Sequence, residues 1–224
     1  MMLPFSRDEF FSVFERYNES VWPAQLLLTA LAVIALVLAL RRSKEGSRGV
    51  FAILGILWFW MALVYHAGFL TAINPAAVVF TGAFLAQSFI FVGLAARRGA
   101  VTFTPRRDLA GFAGGGLIAA ALLLYPVLSV LGGHAYPAQP TFGLPCPTTV
   151  FTLGMLLWLN GRTSVLVFVI PALWTIVGTV AAVELRMPED YLLAVSLAIV
   201  IGVWMTRKPR IKNQELSYEV PVVS

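Results

Sequence analysis

Residues Gly132–Thr149 read GGHAYPAQPTFGLPCPTT and separate two long apolar segments of the chain. They contain four of its thirteen prolines, its one cysteine and one of its two histidines. Because proline lacks the backbone N–H and fixes φ, prolines at this density interrupt a regular helix. We therefore predict an irregular connection between two apolar helices, and we expect any binding site of the protein to lie beside it.

The composition indicates the class of protein. The chain is 59% hydrophobic and only 12% charged, whereas about a quarter of the residues in soluble globular domains are charged. This composition predicts a polytopic helical membrane protein. A single cysteine excludes an internal disulfide and a thiolate cluster for zinc or iron–sulfur.

The apolar segments predict an all-α fold, a transmembrane bundle of seven spans within residues 21–206. The predicted spans are residues 21–40, 50–70, 76–96, 109–131, 148–159, 164–183 and 188–206. The fifth is short, since twelve residues rise only about 18 Å against a hydrocarbon core of roughly 30 Å. Gly111 and Gly115 in the fourth span predict a close helix contact, and Pro171 predicts a kink in the sixth.

The basic residues predict the orientation of these spans. From the N-terminus onward, the segments outside the spans contain 2, 4, 0, 4, 0, 1, 1 and 4 Lys or Arg residues. The segments that are richer in basic residues are expected to be cytoplasmic. This alternation predicts an N-terminus outside and a C-terminus inside. It also accounts for the net charge of +5, so we expect no nucleic-acid partner.

Two segments flank the predicted bundle. Within residues 1–20, Ser6 and Glu9 have the spacing of a capping box, and Phe5 and Phe10 that of a hydrophobic staple. These signals predict a short amphipathic helix that lies in the membrane interface. Residues 207–224 are expected to form a polar, basic cytoplasmic tail.

Three groups of residues carry a resemblance to a known family. They are Leu3-Pro4-Phe5 with Asn18 and Trp22-Pro23, then Tyr65-His66 with Ile73-Asn74-Pro75-Ala76, and finally Gly143–Thr149. In these residues the chain resembles a family of bacterial multi-pass membrane proteins of unknown function, sometimes labelled permease-like. The resemblance implies an integral protein of the bacterial cytoplasmic (inner) membrane. It implies no particular activity.

The predicted topology places the thiol and both imidazoles on the outer side, with His66 near the end of span two and His134 and Cys146 in the outer connection. Cysteine and histidine are ligands for soft or borderline metals such as Cu(I), Zn or Hg. Cys146 also lies between two prolines at the start of the short helix, where the helix dipole favours thiolate. These three residues are therefore candidate metal ligands. The alternative is a rigid lid in which Cys146 is a small buried side chain.

The same outer region predicts a solute cavity. Its candidate lining residues are Tyr65, Asn74, Tyr136, Pro145, Pro147 and Thr148. An interrupted or shortened helix is typical of the binding sites of secondary transporters. Prolines at 145 and 147 are expected to keep the backbone unwound, so that its carbonyls can face the cavity.

Several absences limit the possible functions. No Asp or Glu lies in the interior of a predicted span. Glu189 and Asp190 are at the very start of span seven, in the first helical turn, where the helix dipole favours acidic residues. Ion-coupled transport is therefore disfavoured. The chain contains no nucleotide-binding, zinc-protease or serine-hydrolase motif, so we expect no enzyme and no organic cofactor.

These observations favour a permease-like protein that binds or transports a small solute in an outer cavity beside residues 132–149. The first alternative is a metal-binding or redox-sensing membrane protein that uses Cys146, His66 and His134. The second is a structural or accessory subunit. The expected partners are the lipid bilayer and a small solute or metal ion.

Overall fold

The computed structural model describes residues 3–97, 101–161 and 164–206, and these residues are mainly helical. The α-helices are α1 (Arg7–Ser20), α2 (Ala24–Leu40), α3 (Lys44–Trp60), α4 (Ala77–Ala96), α5 (Leu109–Ala119), α6 (Tyr125–Leu131), α7 (Pro145–Leu157), α8 (Leu166–Leu185) and α9 (Tyr191–Thr206). Two short strands, β1 (Thr102–Phe103) and β2 (Leu159–Asn160), pair antiparallel. The predicted all-α class is confirmed. The predicted tail 207–224 lies outside the described residues, as do Arg98 and Arg162, two of the basic residues counted between the predicted spans.

Five helical segments in the described part of the chain are long and apolar enough to cross a membrane. They are Lys44–Ala72, Ala77–Ala96, Leu109–Leu131, Leu166–Leu185 and Pro188–Thr206, and each overlaps a predicted span. The first and fifth predicted spans correspond to α2, with 17 residues, and α7, with 13. Helix α8 continues through Pro171 as one helix.

The short helix α7 is the centre of the bundle, since twelve of its thirteen residues are buried. It begins at Pro145 and not at Thr148, so the predicted unwound segment at Pro145–Pro147 is wrong. Proline is tolerated in the first turn of a helix because the N–H groups there have no partner within the helix. The prolines therefore begin this helix and do not interrupt it.

Helices α5 and α7 approach closely at Gly114 and Gly154, and not at the predicted pair Gly111 and Gly115. A Cβ atom on Gly114 would lie 2.7 Å from the carbonyl oxygen of Gly154. Next to this contact, the indole N–H of Trp158 donates a 2.9 Å hydrogen bond to the carbonyl of Gly111. Glycine is thus required where the two backbones meet, because there is no room for a side chain.

Two π-helical segments interrupt the long helices. Met61–Ala67 continues α3, and Ala120–Leu124 joins α5 to α6. A π-helical turn changes the direction in which the following side chains point, and such turns are frequent at functional sites. The first segment contains the buried polar side chains of Tyr65 and His66. The second ends directly before the buried side chain of Tyr125.

Helix α1 begins with the predicted capping box. The Ser6 hydroxyl accepts from the backbone N–H of Glu9, and the Glu9 carboxylate accepts from the backbone N–H of Ser6 at 2.7 Å. The predicted staple is also present, with the rings of Phe5 and Phe10 stacked at 5.5 Å. The helix meets α2 at an angle of 85°. Its apolar face, including Phe14 and Tyr17, is buried against the protein.

Candidate binding cavity

A cavity of about 280 Å³ lies among α1, α8 and the start of α7. Its wall is mainly apolar and aromatic, with Phe10 and Phe14 from α1, Phe80 from α4 and Trp174 from α8. The polar side chains that line it are Tyr65, Asn74, Cys146 and Asp190. Its size is close to the lower end of the range of small-molecule sites, roughly 300–1,000 Å³.

Asp190 provides the carboxyl group of the cavity. It ends the 3₁₀ turn Pro188–Asp190 before α9 and is only 3% exposed. The hydroxyl group of Tyr125 donates a hydrogen bond to its Oδ1 atom, and the Cys146 thiol lies against the same carboxyl group. Since Tyr125 directly follows the second π-helical segment, that irregular turn contributes to placing its hydroxyl group against the acid.

The neighbouring Glu189 is fully buried. It is linked to α1 by a series of side-chain contacts. Its Oε1 atom lies 2.7 Å from Nδ1 of His134, and Nη2 of Arg7 lies 3.1 Å from Nε2 of the same ring. A guanidinium group can only donate, so Nε2 accepts and Nδ1 donates its proton to Glu189. The ring of Phe11 packs against the imidazole at 4.3 Å. These contacts connect α1 to the turn before α9.

Cys146 lies where α7 passes α8. A Cβ atom on Gly178 would be 3.8 Å from its sulfur, so the absence of a side chain at 178 makes room for the thiol. The indole of Trp174 adjoins the thiol. The thiol and the indole therefore lie side by side in the cavity wall.

His66 lies in an aromatic enclosure next to the cavity. Its ring is fully buried, and neither of its nitrogens has a hydrogen-bond partner among the described residues. The rings of Phe84, Trp174 and Phe80 surround it, with centroids at 4.4, 5.1 and 5.7 Å. Since Trp174 and Phe80 also line the cavity, His66 lies behind the cavity wall.

Asn18 of α1 positions the Pro-rich connection. Its Nδ2 atom donates to the carbonyl oxygens of Pro137 and Gln139 at 2.6 and 2.8 Å. Its Oδ1 atom accepts from the hydroxyl of Thr141 at 2.7 Å. Gln25 of α2 in turn donates to the Asn18 carbonyl at 2.7 Å. One buried side-chain amide therefore fixes the course of the connection against the N-terminal helix.

The predicted cavity residues are divided between two cavities. Tyr65, Asn74 and Pro145 line the first, while Tyr136 and Pro147 line a second cavity of about 250 Å³. Thr148 lines neither of the two, and its hydroxyl group accepts a hydrogen bond from the backbone N–H of Gly143 at 3.1 Å. The predicted lining residues therefore do not form one continuous wall.

The candidate metal ligands are found in different environments. His66 is enclosed by aromatic rings, His134 bonds to Glu189, and Cys146 adjoins Asp190. Among the described residues, no group of three or more His, Cys, Asp or Glu side chains could hold a metal ion. The geometry therefore adds no support to the hypothesis of a metal site.

Sequence reasoning missed the burial of Glu189 and Asp190. Two consecutive acidic residues after Pro188 fit the exposed first turn of a helix, and this interpretation left no reason to expect burial. The available signal was their position at the start of an apolar segment, on the side of the predicted bundle where the connection that contains His134 is also expected. Because these carboxyl groups are buried, the argument against ion coupling from the absence of buried acids no longer holds.

The fold and the cavity define a helical protein with several membrane-length helices and a buried acidic pair beneath its N-terminal helix. Residues 7–214 match a family of unknown function (DUF6064), and the chain belongs to this family. Comparisons with curated proteins and with solved structures give no significant match.

Proposed function

We propose that the protein spans a bacterial cytoplasmic membrane seven times, with its N-terminus outside and its C-terminus inside. The five membrane-length helices support this topology, and α2 and α7 occupy the positions of the two remaining spans. The alternation of basic residues supports the orientation. A helix as short as α7 is compatible with a spanning role because nearly all of its residues contact protein and not lipid.

In this topology the cavity beneath α1 is the binding site of a permease-like protein for a small amphipathic solute. One observation carries the proposal: a single cavity joins a buried polar end to an exposed apolar end. Asp190 is 3% exposed, whereas Ile176, Val177 and Val180 of α8 line the same cavity and are 39–53% exposed. An amphipathic molecule could therefore place its head group inside and extend its apolar part towards the lipid.

Binding of decanol to the protein in lipid nanodiscs tests this proposal. Val180 lines the cavity and is 45% exposed, so Val180→Trp should obstruct the opening without changing the buried core. Val183 lies on the same helix, is 59% exposed and does not line the cavity, so Val183→Trp is the matched control. Isothermal titration calorimetry, with empty nanodiscs subtracted, should show saturable binding to wild type and to Val183→Trp.

The obstructed variant should lose that binding. Saturable binding that is equal in all three proteins would place the site elsewhere. If neither decanol nor an amphiphile with a different head group binds to wild type, the cavity is not a solute site.

A further inference from the structure

The two buried carboxyl groups beneath α1 differ in their neighbours. Glu189 faces His134, which in turn contacts the guanidinium group of Arg7. Among the described residues, the hydrogen-bond donors to Asp190 are neutral, namely the hydroxyl group of Tyr125 and the thiol of Cys146. Asp190 takes part in no salt bridge with a described residue. A buried carboxylate without a cationic partner is costly, so Asp190 is the place in the cavity where a positive charge would be most favourable.

The wall around this carboxyl group is suited to an organic cation. Tyr65, Phe80 and Trp174 line the same cavity as Asp190, and the rings of Phe80 and Trp174 pack edge to face with their centroids 5.3 Å apart. The negative face of an aromatic ring attracts an ammonium group, most strongly where water is excluded. Small alkylammonium groups are recognised in this way by several aromatic rings together. A strongly hydrated metal ion would instead need several oxygen ligands.

The opposite end of the cavity determines the rest of the ligand. Ile176, Val177 and Val180 are apolar and exposed on α8, which is the surface of a membrane-length helix. An alkyl chain can leave the cavity along these residues and remain in contact with apolar groups. The ligand therefore needs a cationic head group and an apolar chain.

We infer that the cavity binds lipophilic organic cations, with the ammonium group at Asp190 among Tyr65, Phe80 and Trp174 and the apolar chain along α8. This inference rests on the proposed function, because it names the class of solute for the same site. The contact chemistry favours cations over neutral or anionic amphiphiles with the same chain.

Three probes with one chain length test the inference: decyltrimethylammonium, decanol and decanoate. In nanodiscs of uncharged lipid, wild type should bind decyltrimethylammonium at least about tenfold more tightly than decanol, a modest ratio for a desolvated cation–aromatic site with a carboxylate. Decanoate should bind most weakly. Asp190→Asn should abolish the preference for the cation over decanol, while Asp190→Glu should retain it.

Asp8→Asn is the matched control, because Asp8 is an exposed carboxylate on α1 and its removal changes the net charge by the same amount. Its cation preference should equal that of wild type. A wild type that binds the cation no better than decanol would overturn the inference while leaving the proposed function intact. If wild type binds none of the three probes, the proposed function itself is contradicted. The wild-type comparison remains decisive even if Asp190→Asn does not fold.

Discussion

The contact between α5 and α7 predicts opposite effects of the same substitution at two positions of α5. In Gly114→Ala, the new Cβ atom would lie 2.6 Å from Cδ1 of Trp158 and 2.7 Å from the carbonyl oxygen of Gly154. In Gly116→Ala, it would have no atom of another described element within 4 Å. The first change must displace the backbone of α7 or the indole of Trp158, while the second meets open space.

The expected free-energy change follows from three contributions. Overpacking a tight contact typically costs about 1–3 kcal/mol. Displacement of Trp158 would weaken its hydrogen bond to Gly111, which contributes about 1 kcal/mol. Alanine gains about 1 kcal/mol over glycine in a helix. Gly114→Ala should therefore destabilise the protein by about 1–3 kcal/mol, whereas Gly116→Ala should stabilise it by about 1 kcal/mol or less.

Unfolding of the purified protein by sodium dodecyl sulfate in mixed micelles, followed by circular dichroism, measures both changes. The midpoint should move to lower detergent fraction for Gly114→Ala and stay constant or rise for Gly116→Ala. Equal midpoints for the two variants would refute the reasoning, because they would show that α5 and α7 do not touch at Gly114.

Two further predictions concern the N-terminal helix. Asn18→Ala removes the donor to two backbone carbonyls of the Pro-rich connection, so proteolytic cleavage within residues 132–144 should become faster than in wild type; an unchanged rate would contradict the role given to this amide. The pKa of Glu9 is lowered because its carboxylate accepts hydrogen bonds from the backbone and the hydroxyl group of Ser6, so Ser6→Ala should raise it towards its ordinary value in a carbon-13 NMR titration. Because the pKa of Glu9 is lower in the folded protein than in the unfolded chain, this carboxylate stabilises α1 at neutral pH, and the stabilisation is lost as the pH falls through the folded pKa. Equal pKa values of Glu9 in wild type and Ser6→Ala would contradict the role of the Ser6 hydroxyl group.

The features that the sequence predicted correctly depend on local patterns. The capping box at Ser6 and Glu9 involves residues three apart, so its geometry follows from helix formation alone. The long helices follow from continuous apolar segments, such as residues 109–131, that are long enough to cross a membrane. The tertiary structure changes the limits of such elements only slightly.

The features that the sequence did not predict depend on which element lies in the middle of the bundle. Composition alone cannot distinguish an apolar helix that faces lipid from one that is enclosed by protein, since both are apolar on all sides. Helix α7 is of the second kind, because twelve of its thirteen residues are buried, and its short length does not reveal this position. The burial of Asp190 has the same origin, because its partner Tyr125 comes from a helix 65 residues earlier in the chain.

Helix α1 contributes both to the wall of the cavity and to the charge beside it. Its residues Phe10 and Phe14 form part of the cavity wall, and its residue Arg7 contacts the ring of His134, which is hydrogen-bonded to Glu189. The positive charge of Arg7 is therefore linked to one of the two buried carboxyl groups, whereas Asp190 takes part in no salt bridge with a described residue. A cationic ligand would supply the missing positive charge at Asp190, whereas a neutral one would not.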